Sequence, residues 1–148
     1  MNIPIQLVVS FCATAAFGMV FSVPRRLLVT CGAVGMLGWI AYLLLIRWGM
    51  STVPATLLAA FVLASASLFL ARLHKAPVTV FSAAGIIPLV PGGLAYDAMR
   101  DFVLNDYNTA VQLSAKTLMI AGAIAMGLIL AEVVYQLLRR PKELIRAK

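Results

Sequence analysis

Apolar residues run along this chain in five blocks separated by short polar or basic breaks. The first, Ile3 to Val23, closes at Pro24-Arg25-Arg26, and the second, Leu27 to Ile46, closes at Arg47 and Trp48. The third, Val53 to Ala71, ends before Arg72, His74 and Lys75; the fourth is Pro77 to Val90 and the fifth Val111 to Leu138. A helix needs about 20 apolar residues to cross a bilayer core, and it satisfies all its own backbone groups while doing so. The fourth block is short for that task, and the fifth is long enough to cross with tilt or to project beyond the bilayer. The predicted fold class is therefore all-α: a polytopic membrane protein of about five transmembrane helices, with residues 1–148 forming a single transmembrane domain.

Composition agrees with a bilayer as solvent. The chain is 63% hydrophobic and 11% charged, against about 25% charged in soluble domains, and its mean hydropathy is +1.00. Ala13-Thr14-Ala15 would fit a signal cleavage site, but no Lys or Arg precedes the first block. A signal peptide needs that positive region, so the block reads as a retained helix. The net charge of +7 matters through its location. Breaks after blocks one, three and five carry nine cations: Arg25, Arg26, Arg72, Lys75, Arg139, Arg140, Lys142, Arg146 and Lys148. Those after blocks two and four carry three: Arg47, Arg100 and Lys116. That bias places the N-terminus outside and the C-terminus in the cytoplasm. The basic tail then reads as an orientation anchor against lipid, and nucleic acid is not an expected partner.

Small or weakly polar residues recur at helical spacing within the blocks. Gln6, Ser10, Thr14 and Gly18 form one such stripe; Cys31, Gly35, Gly38 and Tyr42 form another. Thr56, Ala60, Ala64 and Ser67 form a third, and Ser114, Ala121, Ala125 and Glu132 a fourth. Such stripes let helix backbones approach where lipid supplies no hydrophobic drive, so Gly35, Gly38, Ala121 and Ala125 are the expected packing positions. A polar pathway along the same faces is the sharper alternative. Glu132 is the lone acid inside an apolar block. Intramembrane acids are functional candidates, so Glu132 is a candidate for gating or proton coupling. The competing reading pairs it with Arg139 or Arg140.

Candidates for chemistry are few. His74 sits beside Lys75 in a basic loop, and Cys12 and Cys31 lie in apolar runs without metal-ligand spacing. No nucleophile set, phosphate loop or dinucleotide fingerprint is present, so neither catalysis, a metal nor a cofactor is expected. The informative feature is the tract Pro88-Leu-Val-Pro91-Gly92-Gly93. Proline removes a backbone donor and glycine loosens the helix. Backbone freed in this way survives at membrane depth only inside protein or beside a wet cavity, as in the binding sites of transporters. A short helix follows from Leu94 to Asn105, with Leu94, Ala98, Met99 and Phe102 on one side and Asp97, Arg100 and Asp101 on the other. Its start offers the amides of Gly92, Gly93 and Leu94 to an anion; Pro88 and Pro91 hold the break open, and Tyr96 and Asp97 stand ready as hydroxyl and carboxylate. A tight corner without a ligand is the alternative.

The run Gly85-Ile86-Ile87-Pro88-Leu89-Val90-Pro91-Gly92-Gly93-Leu94-Ala95-Tyr96-Asp97-Ala98-Met99 resembles the signature of the threonine/serine exporter family. The likeness extends to Val23-Pro24-Arg25-Arg26, the Gly-rich second helix and His74 to Pro77, and is greatest to the small membrane subunit of two-chain exporters, which include a succinate exporter. The resemblance implies export of a small carboxylate-bearing metabolite (threonine, serine or succinate) across the bacterial inner membrane, driven by an ion gradient. It implies a larger partner subunit of the same family, and an oligomer is compatible with it. The carboxylate of any of these substrates would suit the amides at Gly92 to Leu94, and Asp97 would meet an amine or handle a proton. Five spans also make a second such unit inverted, a common transporter design. A stabilising subunit or a passive channel are the alternatives.

Overall fold

The computed structural model describes the backbone of residues 3–146 and the side chains of residues 3–138. Among these residues it is all helix: α1 (Ile3–Val20), α2 (Arg25–Arg47), α3 (Thr52–His74), α4 (Val78–Gly85), a 3-10 turn (Ile87–Leu89), α5 (Gly92–Val103) and α6 (Tyr107–Arg146). Four helices are long and apolar enough to cross a membrane, α6 over its stretch Tyr107–Leu138. The segment Val78–Leu89 and α5 together make a fifth candidate, bent by 51°. The fourth block thus ends where its prolines predict.

One device closes the tight turns. Ser22, Gly49, Lys75 and Asn105 all have positive φ, at 57°, 83°, 52° and 63°. In each case the following amide reaches back five residues: Val23 to Gly18 O at 2.9 Å, Met50 to Leu45 O at 3.2 Å, Ala76 to Ala71 O at 2.9 Å, Asp106 to Asp101 O at 3.0 Å. This is the Schellman ending, which satisfies orphan carbonyls at a helix C-terminus. Asp106 then caps α6, its Oδ1 accepting from the Thr109 amide at 3.3 Å.

The faces that pack are the small-residue faces. Ser10, Thr14 and Gly18 are the buried residues of α1. A methyl at Gly35 of α2 would collide with Thr14, and one at Gly38 would lie 2.7 Å from Leu63 Cδ1 of α3. Both glycines therefore seat helices of this same chain. On α6 the packing face is Ile120, Ala123, Ile124, Gly127 and Ala131. Ala121, Ala125 and Glu132 lie on its exposed side, so the stripe read from the sequence for this helix is not the one that meets α3. Gly127 stands where the backbones come closest: a Cβ there would lie 2.6 Å from Leu57 O and 2.8 Å from Ala60 Cβ.

Helices α3 and α6 run parallel. Gly127 meets Leu57 and Ala60, Ala131 packs with Ala64 and Leu68, and the Arg72 guanidinium lies 4.3 Å over the Tyr135 ring. The chain must therefore return between them, and α4 begins that return. Phe81 and Ala84 pack with Val23, Cys31 and Ala71, and the Cys31 thiol donates to Val80 O at 3.6 Å. Leu89, further along, belongs to the cluster of Ala59, Leu63 and Ile120. The α1–α2 and α3–α4 turns and the far end of α6 thus share one face, here termed the basic face; the α2–α3 turn lies on the opposite one. Tyr107–Leu138 has 32 residues, or roughly 48 Å at 1.5 Å per residue, against a core of about 30 Å. The first turns of α6 and the antiparallel α5 packed on them project past the α2–α3 turn. On α5, Asp101 turns inward with Ala98, against the outward side expected for it, while Met99 is 68% exposed. Small Ala98 permits the close approach to α6, and Arg100 follows the inward carboxylate, its Nη2 donating to Asp101 Oδ1 at 3.2 Å.

Candidate functional site

The break is built by its prolines. Proline forces the residue before it out of the helical region, and Val90 is extended, with φ −66° and ψ 129°. The Gly92 amide is consumed locally, donating to Val90 O at 2.8 Å, and Ala95 makes the first regular bond of α5, to Pro91 O at 3.1 Å. Among the described residues the Gly93 and Leu94 amides meet no acceptor. Two donors therefore remain at this helix start where three were expected. A Cβ at Gly92 or Gly93 would meet nothing within 4 Å, and neither has positive φ. Nothing among the described residues demands glycine at either position, and both are exposed.

Two cavities flank the break and share Trp39 and Pro88 as a common wall. One, of about 200 Å3, lies between α1, α2 and the 3-10 turn and is lined by Gln6, Val9, Ser10, Ala13, Trp39 and Pro88. The other, of about 170 Å3, includes Tyr42, Thr52, Thr56, Pro91, Leu94 and Ile120 in its lining. Trp39 and Tyr42 stack obliquely, their ring centroids 5.3 Å apart. Polar satisfaction is uneven. Thr56 Oγ1 donates to Thr52 O at 2.7 Å, and Ser10 Oγ to Gly35 O at 3.3 Å. Among the described residues Gln6 Oε1 and Trp39 Nε1 are buried without a partner, a condition that costs about 1–3 kcal/mol per group.

The expected site residues divide accordingly. Pro88, Pro91 and Leu94 line these cavities. Gly92, Gly93, Tyr96 and Asp97 line neither, and Tyr96 is 68% exposed. Asp97 Oδ1 lies 3.7 Å from Arg100 Nη1. Glu132 is exposed and accepts from Gln136 Nε2 at 3.1 Å; its alternative partners Arg139 and Arg140 lie outside the described side chains. His74, exposed at the end of α3, has its ring 6.0 Å from that of Phe81. Cys31 is buried and Cys12 exposed. No cluster of three or more potential metal ligands occurs among the described residues.

Trp39 is the residue that sequence reasoning missed. Its signal was an indole N–H well inside an apolar helix, since tryptophan at membrane depth ordinarily sits at the interface with its N–H wet. Trp48, at the end of α2 and 80% exposed, is the ordinary case. Gln6, Tyr42 and Thr56 were visible as members of stripes, but their convergence on the break required the fold. No solved structure matches the chain. A family model described as threonine/serine exporter, ThrE, matches residues 6–134; this broken-helix membrane protein belongs to the threonine/serine exporter family.

Proposed function

We propose that the chain is the membrane subunit of a secondary transporter that exports a small carboxylate-bearing metabolite, threonine, serine or succinate, across the bacterial inner membrane. It works with a larger partner subunit of the same family, with its N-terminus outside and its C-terminus in the cytoplasm. The observation that carries this reading is the Pro88 to Leu94 break, seated between two cavities, with the Gly93 and Leu94 amides unpaired. Amides at a helix start favour an anion, and exposed glycines let a carboxylate approach them closely. Tyr96 supplies a hydroxyl beside that site. Asp97 exchanges Arg100 for a substrate amine, since an exposed ion pair is weak. Glu132, an acid on the outer face of α6, is the group for proton coupling or gating.

Liposomes carrying this chain with its partner, loaded with threonine, serine or succinate in turn, test the reading. Saturable efflux that needs both chains and an ion gradient is the expected result. Because Gly92 and Gly93 have open space around them, Gly92→Val and Gly93→Val leave complex yield unchanged and raise the half-saturating concentration, by about tenfold for the loss of a charge-assisted contact. Flux without saturation or gradient would make the protein a channel. Full efflux from the partner alone would reduce this chain to a stabilising subunit.

A further inference from the structure

The side of α6 turned away from the rest of the chain carries an ordered row of its own. Leu118, Gly122, Ala125, Ile129, Glu132 and Gln136 are all exposed, and they follow one another at intervals of four, three, four, three and four residues. At 3.6 residues per turn the row lies opposite Ile120, Ile124, Gly127 and Ala131, which meet α3. Its spacing is the a/d pattern of a heptad, whose period of 3.5 residues keeps a seam turned toward a neighbouring helix. Two members set it apart from an ordinary lipid-facing surface. Gly122 forfeits about 1 kcal/mol of helix stability relative to alanine, yet a Cβ there would meet nothing within 4 Å, so no contact among the described residues uses it. Glu132 is an acid within the span Tyr107–Leu138, where ionisable groups almost always face protein or a wet cavity. Among the described residues its only hydrogen bond comes from Gln136 Nε2, at 3.1 Å.

We propose that this row is a two-fold interface at which α6 of one copy of the chain packs in parallel on α6 of a second copy. Copies inserted with one orientation present their α6 helices in parallel, the arrangement that holds a heptad seam in register along its length. The polar end of the row is self-complementary, as a two-fold contact requires. A side-chain amide has two N–H donors. Gln136 spends one on its own Glu132 and has the other for Glu132 of the second copy, which returns the bond. Each carboxylate thus gains a donor, and the two amides offset the repulsion between like charges near the axis. Further along, Gly122 and Ala125 let the two backbones close on each other, and Leu118 and Ile129, 72% and 58% exposed, supply the knobs. Ala125, exposed in the single chain, finds here the close neighbour that its spacing predicts. The row includes no residue that lines either cavity beside the break, and the inference does not rest on the transport reading.

Detergent competes for an apolar row, so the interface is read in a bilayer. The chain has two native cysteines, Cys12 and Cys31, and Cys12→Ala with Cys31→Ser gives a background for single cysteines along α6. The full chain is expressed with and without the larger partner subunit, and its membranes are mildly oxidised. Leu118→Cys, Ala125→Cys and Ile129→Cys are expected to form disulfide-linked homodimers. Met119→Cys and Leu130→Cys, at positions exposed but off the row, are expected to stay monomeric. Counting photobleaching steps of singly labelled chains diluted in liposomes gives the dissociation constant independently. Gly122→Leu raises it at least about tenfold by steric clash, with helicity unchanged because nothing in the chain lies against that position. Gln136→Leu raises it about tenfold, since two interhelical hydrogen bonds go at once, whereas Glu132→Gln keeps an acceptor and retains the dimer. Equal crosslinking on and off the row, single photobleaching steps at every density, or an unaltered dissociation constant in both Gly122→Leu and Gln136→Leu overturns the proposal. So do crosslinks from the row to the larger partner subunit in place of homodimers, which would assign the row to that subunit. Neither readout involves flux: a monomeric chain leaves the transport reading standing, and absence of export leaves the dimer.

Discussion

Gly127 has Leu57 O and Ala60 Cβ within 2.8 Å of where its own Cβ would be, and backbone on that side cannot yield as a flexible side chain would. Overpacking a tight contact costs about 1–3 kcal/mol, so Gly127→Leu is expected to lower the thermal midpoint of the detergent-solubilised chain, while Ala125→Leu, on the exposed face, leaves it unchanged. The pair also measures what the residues alone disclosed. The stripes of α1, α2 and α3 fall on faces that the fold buries: Ser10, Thr14 and Gly18, then Cys31, Gly35 and Gly38, then Thr56, Ala60, Ala64 and Ser67. Helix α6 offers two, Ala121 with Ala125 and Ala123 with Gly127 and Ala131. Helical spacing cannot choose between them; the neighbour does. Backbone strain is a second residue-scale effect. Ser22 and Lys75 hold positive φ without being glycine, a conformation that costs a residue with a Cβ roughly 1–2 kcal/mol. Glycine recovers that and loses about 0.4–1 kcal/mol to greater freedom in the unfolded chain. Ser22→Gly is therefore expected to stabilise by about 0.5–1 kcal/mol, read by reversible denaturant titration in detergent micelles.

At the scale of elements, the α4–α5 bend decides where the cavities lie. Its position was legible because Pro88 and Pro91, three residues apart, remove two backbone donors and disfavour the helical conformation in the residue before each. Its surroundings were not, since Gln6, Trp39, Tyr42 and Thr56 come from three other helices. Pro91 acts through Val90, which it holds extended, and Pro88 stands within the 3-10 turn. Replacing both by alanine returns the missing amides and lets a single helix run from α4 into α5. Spin labels at Thr79 and Val103, both exposed, are expected to move apart by several Å as the 51° bend relaxes. Export falls in parallel, because Pro88 leaves the wall common to both cavities. An unchanged label distance would mean that packing of α5 on α6, rather than proline, sets the bend.

For the molecule as a whole, charge and packing give two independent routes to its arrangement in the membrane. The charge bias assigns Arg25, Arg26, Arg72, Lys75 and the basic C-terminal segment to one face. Packing reaches the same grouping without reference to charge, since Val23, Ala71 and Phe81 form one cluster and Arg72 covers Tyr135. Parallel α3 and α6 leave the turn at Asn105 on the opposite side, beyond the α2–α3 turn. The short fourth block could not decide this from its length, because its return is completed by α5, an amphipathic helix that composition alone would place at an interface. Reporter fusions after Lys75 and after Lys148 are therefore expected to report cytoplasm, and a fusion at Asn105 the outside. Exchanging Arg25, Arg26, Arg72 and Lys75 for glutamine removes much of the bias while leaving the helix contacts in place. It is expected to yield a mixed population of orientations rather than an unfolded chain. A cytoplasmic Asn105 in the native protein would mean that the bent pair enters and leaves by one face, and the five-span arrangement would fall with it.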